Sequence, residues 1–464
     1  MMLSKQEIQS IIDSCLTTGA DFAELFFEET NSYRLSVVKQ DVQSISSSTI
    51  CGVGIRILLG VDEVYGYTNN LTYNEILKLA NNLKITFNNP KLTKSIPLEK
   101  QKALNKKIIR PYNEISNKKR TKDLLEINKI IEEYDPKIVQ AISSISEWEQ
   151  KVLICNSLGI YQNDLRNYTR VSMTAVAKEN DQMQEAYEAP GRAMGYEIFD
   201  HLDFKKIAKE VAKSAVLLLN AKEIIPQVMD VVIHNGFGGV LFHEACGHPL
   251  EASSVAKKLS PFANKIGEKV ASDLVTAYDD GTIENAWGST NFDDEGTPTK
   301  KNLLIENGVL KSYLVDFKNS RKMETTPTGS SRRQSYKYAP TSRMNSTYIA
   351  NGSSSYEDII KNTKHGLFAK KLGGGTVQPA TGEFNFVVTE GYMIEDGKLT
   401  HAIKGAMLIG QGKDVLHNID MVGNNLEFGQ GMCGSSSGSI PVDVGQPTLR
   451  VKNMTVGGSG DNKC

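Results

Sequence analysis

Two histidines five residues apart set the tightest local constraint on how this 464-residue chain can fold. They lie in Phe242-His243-Glu244-Ala245-Cys246-Gly247-His248-Pro249. In a regular helix of about 3.6 residues per turn, positions four apart differ by roughly 40° around the axis and positions five apart by roughly 140°. An ideal helix therefore points the two imidazoles to different sides. Gly247 tolerates unusual dihedrals, and Pro249 disfavours the α region for His248 while removing a backbone donor. A π-type turn or a helix break at Gly247 and His248 is expected to bring the second ring back.

The residue types explain why the rings should meet. A metal hydrolase needs two or three protein ligands with one coordination position left open, and a carboxylate to take the proton of water. His243 and His248 can supply two ligands, and Glu244 is the candidate base by analogy with the helix in which His-Glu is followed by a second His at the fourth position. Cys246, three residues from His243, shares its face of an ideal helix and competes with His248 as a ligand. The plainer alternative makes Cys246 a small buried hydrophobe and the histidines satisfied core residues.

A catalytic zinc is rarely held by two histidines alone, so a further ligand must come from elsewhere. Cys433, in Gly429-Gln430-Gly431-Met432-Cys433-Gly434, is the strongest candidate, because metal binding favours the thiolate and a glycine-hinged loop can approach closely. It lies 185 residues after His248, so spacing does not select it, and His417, Glu383 and Asp420 remain substitutes. The same loop holds two decoys. Gly429, Gly431 and Gly434 spell a dinucleotide fingerprint, but no helix is expected to follow. Gly434, Ser436 and Gly438 spell a nucleophile elbow, which also needs a helix after the serine. A serine hydrolase is the minor alternative and lacks an identified His and Asp partner.

Chain length calls for two domains or more. A 40% hydrophobic and 23% charged composition with net charge -1 describes a soluble globular protein with no global pull toward nucleic acid or an anionic membrane. Ser4 and Glu7 form a capping box before Ile8, Ile11, Ile12, Cys15 and Leu16, so the amino terminus reads as a helix rather than an export signal, and no long apolar run spans a membrane. Six scattered cysteines fit a reducing cytoplasm.

Residues 1–200 read as an α+β domain, an N-terminal antiparallel sheet with flanking helices. Short strand-like runs follow the first helix, a second capping box at Thr72 and Glu75 opens another helix, and a third carries Leu124, Ile127 and Ile131. Between them, residues 88–120 are basic, with Lys100, Lys102, Lys106, Lys107 and Arg110 among them, and read as a solvated connection because no stacking aromatics accompany the charges. A helix at 204–219 is expected to join the halves. Residues 201–464 read as a C-terminal, mostly antiparallel β domain carrying the metal-binding helix, since eighteen of the 38 glycines fall at 373–464 among short β-like runs. Asp293, Asp294 and Glu295, and Arg332, Arg333 and Arg343, read as solvated charges or substrate contacts.

Several stretches in order resemble the TldD/PmbA family of metalloproteases, and specifically its TldD branch. They are His243 to Glu251, Asp293 to Thr299, Arg333 to Tyr336, Gly373 to Gly375, Thr381 to Phe384, Gly431 to Cys433 with Gly434, and Val444 to Thr448. The resemblance implies a zinc peptidase with His243, His248 and Cys433 as metal ligands, Glu244 as base and Cys246 as a bystander. It also implies proteolysis of unfolded or extended peptides in an enclosed chamber, and a heterodimer with a PmbA (TldE)-type subunit, or a homodimer. Neither nucleic acid nor membrane is expected as a partner. Asn345 and Ser346 depart from the family's Thr-Asn, which bears on substrate contacts there. The rival to the peptidase is a non-catalytic peptide-binding subunit with a structural metal.

Overall fold

The computed structural model describes residues 3–101, 109–378 and 381–458; Lys102, Lys106 and Lys107 of the basic run, and Cys464, lie outside the described residues. The helix Lys5–Leu16 starts on the expected capping box. Ser4 Oγ accepts from the Glu7 N–H at 3.3 Å, and the Glu7 carboxylate accepts from the Ser4 N–H at 2.7 Å. The helix Tyr73–Lys84 also forms, but Thr72 makes no side-chain cap. Its N–H is instead held by Asn70 Oδ1 at 3.2 Å, so an Asx turn organises that entry and the second capping box does not form.

The short runs expected in the first domain are four long strands. Phe22–Val38, Asp41–Leu59, Ile138–Asn156 and Leu158–Glu179 contain 17, 19, 19 and 22 residues. In Phe22–Val38 polar residues such as Glu24 and Glu28 occupy one face, while Leu25, Phe27, Leu35 and Val37, two apart within each pair, are buried on the other; in Asp41–Leu59 the polar residues of 44–49 occupy both faces. The two hairpins join through Phe22–Val38 and Ile138–Asn156, antiparallel without a register shift. Each hairpin gains a third strand, Asp62–Thr68 or Gln182–Glu188. Lys5–Leu16 and Tyr73–Lys84 cover one end of the apolar face, and Asn117–Glu132 with Phe204–Leu219 cover the other. The order helix, three strands, helix thus occurs twice, the second time with the two-residue strand Gly191–Arg192 and the short helix Ile198–His201 inserted before the last helix. Within the basic run, Ile96–Lys100 pairs in parallel with Leu158–Glu179, and Arg110 is paired with Asp200.

The second half contains an eight-stranded and a six-stranded sheet, mostly antiparallel. The six-stranded one ends in the hairpin Glu427–Ser435 and Gly438–Gln446. Leu241, Phe242, Ala245, Cys246 and Leu250 sit in the large apolar cluster that these strands share, so the motif segment is part of the core.

The polar face of the first sheet packs against this second half through buried charge. Arg56 pairs with Glu24 at 2.9 Å and Glu295 at 2.6 Å; Arg333 reaches Glu24 at 2.5 Å; Arg166 reaches Asp294 at 2.6 Å. All of these groups are buried. Asp294 and Glu295 therefore join the first sheet to the second half, and Asp293 is a buried acceptor for the Glu295, Thr297 and Ser331 N–H groups, so the reading of the three as solvated charge does not hold. Arg332 donates to the Met344 and Pro441 carbonyls. Asn345 and Ser346 are fully buried and bonded to Asp279 and Asp443, which places the departure from the family pattern in structural packing.

Candidate metal centre

The motif segment is a composite helix. A 3₁₀ turn at Phe237–Gly239 passes into α-helix at Val240–Phe242, π-helix at His243–Gly247 and 3₁₀ again at His248–Leu250. The His248 N–H donates to the His243 carbonyl, a five-residue reach that closes the π turn where the spacing requires one. The two imidazole centroids end 5.1 Å apart with planes at 84°.

Glycine lets this helix approach its partner strand. A Cβ at Gly239 would lie 2.5 Å from the Gly445 nitrogen and 2.6 Å from its carbonyl carbon. Gly445 is in Gly438–Gln446, whose neighbour Glu427–Ser435 carries Cys433 opposite Ile440. The close backbone contact therefore fixes the helix against the strand pair that delivers the thiol. Gly239→Ala is expected to cost about 1–3 kcal/mol through overpacking and to lower bound metal, read together by thermal melting and metal per chain.

Sulfur and nitrogen converge from these two directions. His243 Nε2 is 3.4 Å and His248 Nε2 is 3.3 Å from Cys433 Sγ, and the three donor atoms lie within 4.8 Å of one another. His243 and Cys433 are buried. Burial alone would raise the Cys433 thiol pKa, but the charge and hydrogen bonds of the two imidazoles outweigh it and hold the thiol well below its usual range. Burial would lower the pKa of His248; Glu251 and Cys433 outweigh it and raise the value well above the usual one. Two imidazoles and an easily ionised thiol are the donor set that suits zinc, and they are aimed at one point, so the residues present fit a bound metal.

The other candidates stay apart. Cys246 is wholly buried in apolar surroundings, which push its thiol up, and it is not among the converging groups. His417 and Glu383 are exposed, and Asp420 is paired with Arg450 at 2.7 Å and Lys452 at 3.0 Å. Ser436 occupies the turn of the Cys433 hairpin with strands on both sides, the context of neither decoy motif.

Glu244 stands at the edge of the cluster, its Oε2 3.6 Å from His248 Nε2 and its side chain 25% exposed. Two further residues were not singled out as part of this site from sequence. Glu251 Oε1 lies 3.1 Å from His248 Nδ1 and fixes that ring from behind; a carboxylate three residues after the second histidine was the available signal. Arg343, fully buried, donates to the Cys433 and Gly438 carbonyls and to Ser437 Oγ, holding the thiol's hairpin. Nothing in its spacing announces that role.

Family models described as PmbA/TldA metallopeptidase domain 1, central domain and C-terminal domain match residues 23–85, 110–219 and 226–458. A metalloprotease TldD homolog of Buchnera aphidicola subsp. Acyrthosiphon pisum is 33% identical, over 98% of this chain and 97% of its own. A zinc metalloprotease TldD homolog of Saccharolobus solfataricus is 24% identical, over 95% and 97%. The solved structure of TldE from Thermococcus kodakarensis has the same fold, with a TM-score of 0.76 at 20% identity over 97% of this chain and 99% of that one.

Proposed function

The chain belongs to the TldD branch of the PmbA/TldD metallopeptidase family, and on that premise we propose that it is a zinc peptidase acting on unfolded or extended peptides. The convergence of His243, His248 and Cys433 beside Glu244 carries this reading. Zinc held by the three residues would polarise the scissile carbonyl and acidify water. His243 and Cys433 approach from helix and strand, and Glu251 orients His248. Glu244, on the solvent side, accepts the proton of the attacking water and passes it to the leaving amine. Three ligand atoms rather than four among the described residues support a catalytic over a structural metal.

Cys433 lies on the edge strand of its sheet, which suits an extended peptide held through its main chain with little side-chain selection. The reading includes a cytoplasmic protein paired with a PmbA (TldE)-type subunit or with itself. The likeness to TldE and the absence of disulfides among the described cysteines support it.

Hydrolysis of an unfolded, fluorescently quenched polypeptide is expected to stop with a chelator and return with zinc. Activity that survives complete metal removal would overturn the proposal. Glu251→Ala is expected to weaken zinc binding by about 10–100-fold while leaving Cys433 in place, measured by competition with a chromophoric chelator.

A further inference from the structure

The doubled helix, three strands, helix pattern makes one difference in the first sheet conspicuous. In the second unit, the outer edge of Leu158–Glu179 is paired at 158–161 by Ile96–Lys100, at 169–170 by Gly191–Arg192 and at 173–179 by Gln182–Glu188. Between those segments Asp164, Arg166 and Tyr168 are buried against the second half of the chain. In the first unit, Asp62–Thr68 pairs only with 53–59 of Asp41–Leu59. Among the described residues, 41–52 pairs with Phe22–Val38 alone, and every residue from 41 to 50 is exposed.

A bare edge is a template for another strand, and folded proteins usually guard one with lysine, proline, a bulge or a covering loop. Residues 41–51 contain no lysine, arginine, proline or glycine, and their one bulge, at Gln43 near the hairpin end, leaves 44–51 in unbroken register. Ser44, Ser46, Ser47, Ser48 and Thr49 put small hydroxyls on both faces, so an added strand would meet no pocket that selects its side chains.

The position of this edge decides its occupant. It runs directly into the interdomain interface, where Gly52 lies so close to Tyr336 that a Cβ would come within 2.2 Å of its ring. Two residues before Tyr336, Gln334 donates its N–H to the Ser437 carbonyl and accepts from the Ser439 N–H, both at 2.8 Å. Those serines flank the tip of the Cys433 hairpin. The bare edge and the metal centre are thus joined by one short stretch, 334–336. Resting on the peptidase reading, we infer that 41–51 is a second binding strand for the polypeptide substrate, which adds to this edge by main-chain pairing while another part of it lies at the metal centre.

Hydrogen exchange on the zinc-loaded Glu244→Gln protein tests this. An unstructured peptide of about 20 residues, at ~3.3 Å per residue, is long enough to pair at both places at once, whereas one of about six is used up by pairing at a single edge. The long peptide is expected to slow exchange at least ~10-fold for outward amides of 41–51 as well as within 427–435, and the short one only within 427–435. Protection by the long peptide at 427–435 without any at 41–51 overturns the inference and leaves the peptidase reading standing. Protection at neither place overturns both. Protection of 41–51 in the free protein that grows with protein concentration gives the edge to a second subunit and also overturns it.

Neighbouring N–H groups on a strand point to opposite sides, so one of Ser46→Pro and Ser47→Pro removes an outward donor and keeps the hairpin. Melting temperature and bound zinc identify the folded variant. In the otherwise wild-type chain, that variant is expected to raise KM for the long peptide about tenfold and leave the short one unchanged. An unchanged long-peptide KM overturns the inference.

Discussion

Replacing Glu244 by glutamine is expected to lower peptide turnover by about 10²–10⁴-fold while bound zinc stays at the wild-type level. The side chain is at the edge of the ligand group and the three converging donors do not include it, so an isosteric amide leaves them in place. What the amide cannot do is accept a proton. The loss should therefore fall on kcat, with KM little changed, because binding through the peptide main chain does not involve this carboxylate. The comparison is made by steady-state kinetics on an unfolded polypeptide with metal content measured on the same preparations. Retained turnover would remove Glu244 from the mechanism.

The second large effect is structural. Arg56 is fully buried and faces Glu24, Glu295 and, at 3.7 Å, Glu63. Removing it as Arg56→Met strands carboxylates in the interface, which costs about 3–5 kcal/mol. The pH dependence follows. Burial already raises the pKa of Glu295 even with Arg56 facing it, and loss of the cation raises it further. A carboxylate with a raised folded pKa binds its proton more tightly in the folded state. Its contribution is present below the unfolded pKa and is lost as pH rises through the folded one. The variant should thus be closest to wild type near pH 5 and furthest from it near pH 8, as read by denaturant unfolding. An equal deficit at both values would show that the carboxylates are not the source of the loss.

Local signals in the sequence translated well where they specify backbone directly. The Ser4 box, the stripe of Phe204–Leu219 and the five-residue histidine spacing each led to the element found. Non-local features did not. The strands looked short because polar residues interrupt their apolar pattern; buried ones such as Glu24, Arg56 and Arg166 are explained only by the packing of the second half, and those of 41–50 lie on an exposed extension of the sheet. Asp294 and Glu295 looked like a solvated turn, since nothing in their neighbourhood reveals the arginines that arrive from positions 166 and 56. Cys433 could not be chosen by spacing, because a hairpin from a sheet distant in sequence brings it to the helix, and Arg343, read as a solvated charge or substrate contact, is instead wholly buried and holds that hairpin.

Metal per chain, by elemental analysis of the wild-type protein beside Cys433→Ser and Cys246→Ser, tests the central claim most directly. One zinc in the wild type, retained by Cys246→Ser and lost or greatly weakened in Cys433→Ser, is the predicted result. Zinc retained without Cys433 but lost without Cys246, or absent from all three after zinc is supplied, would contradict it.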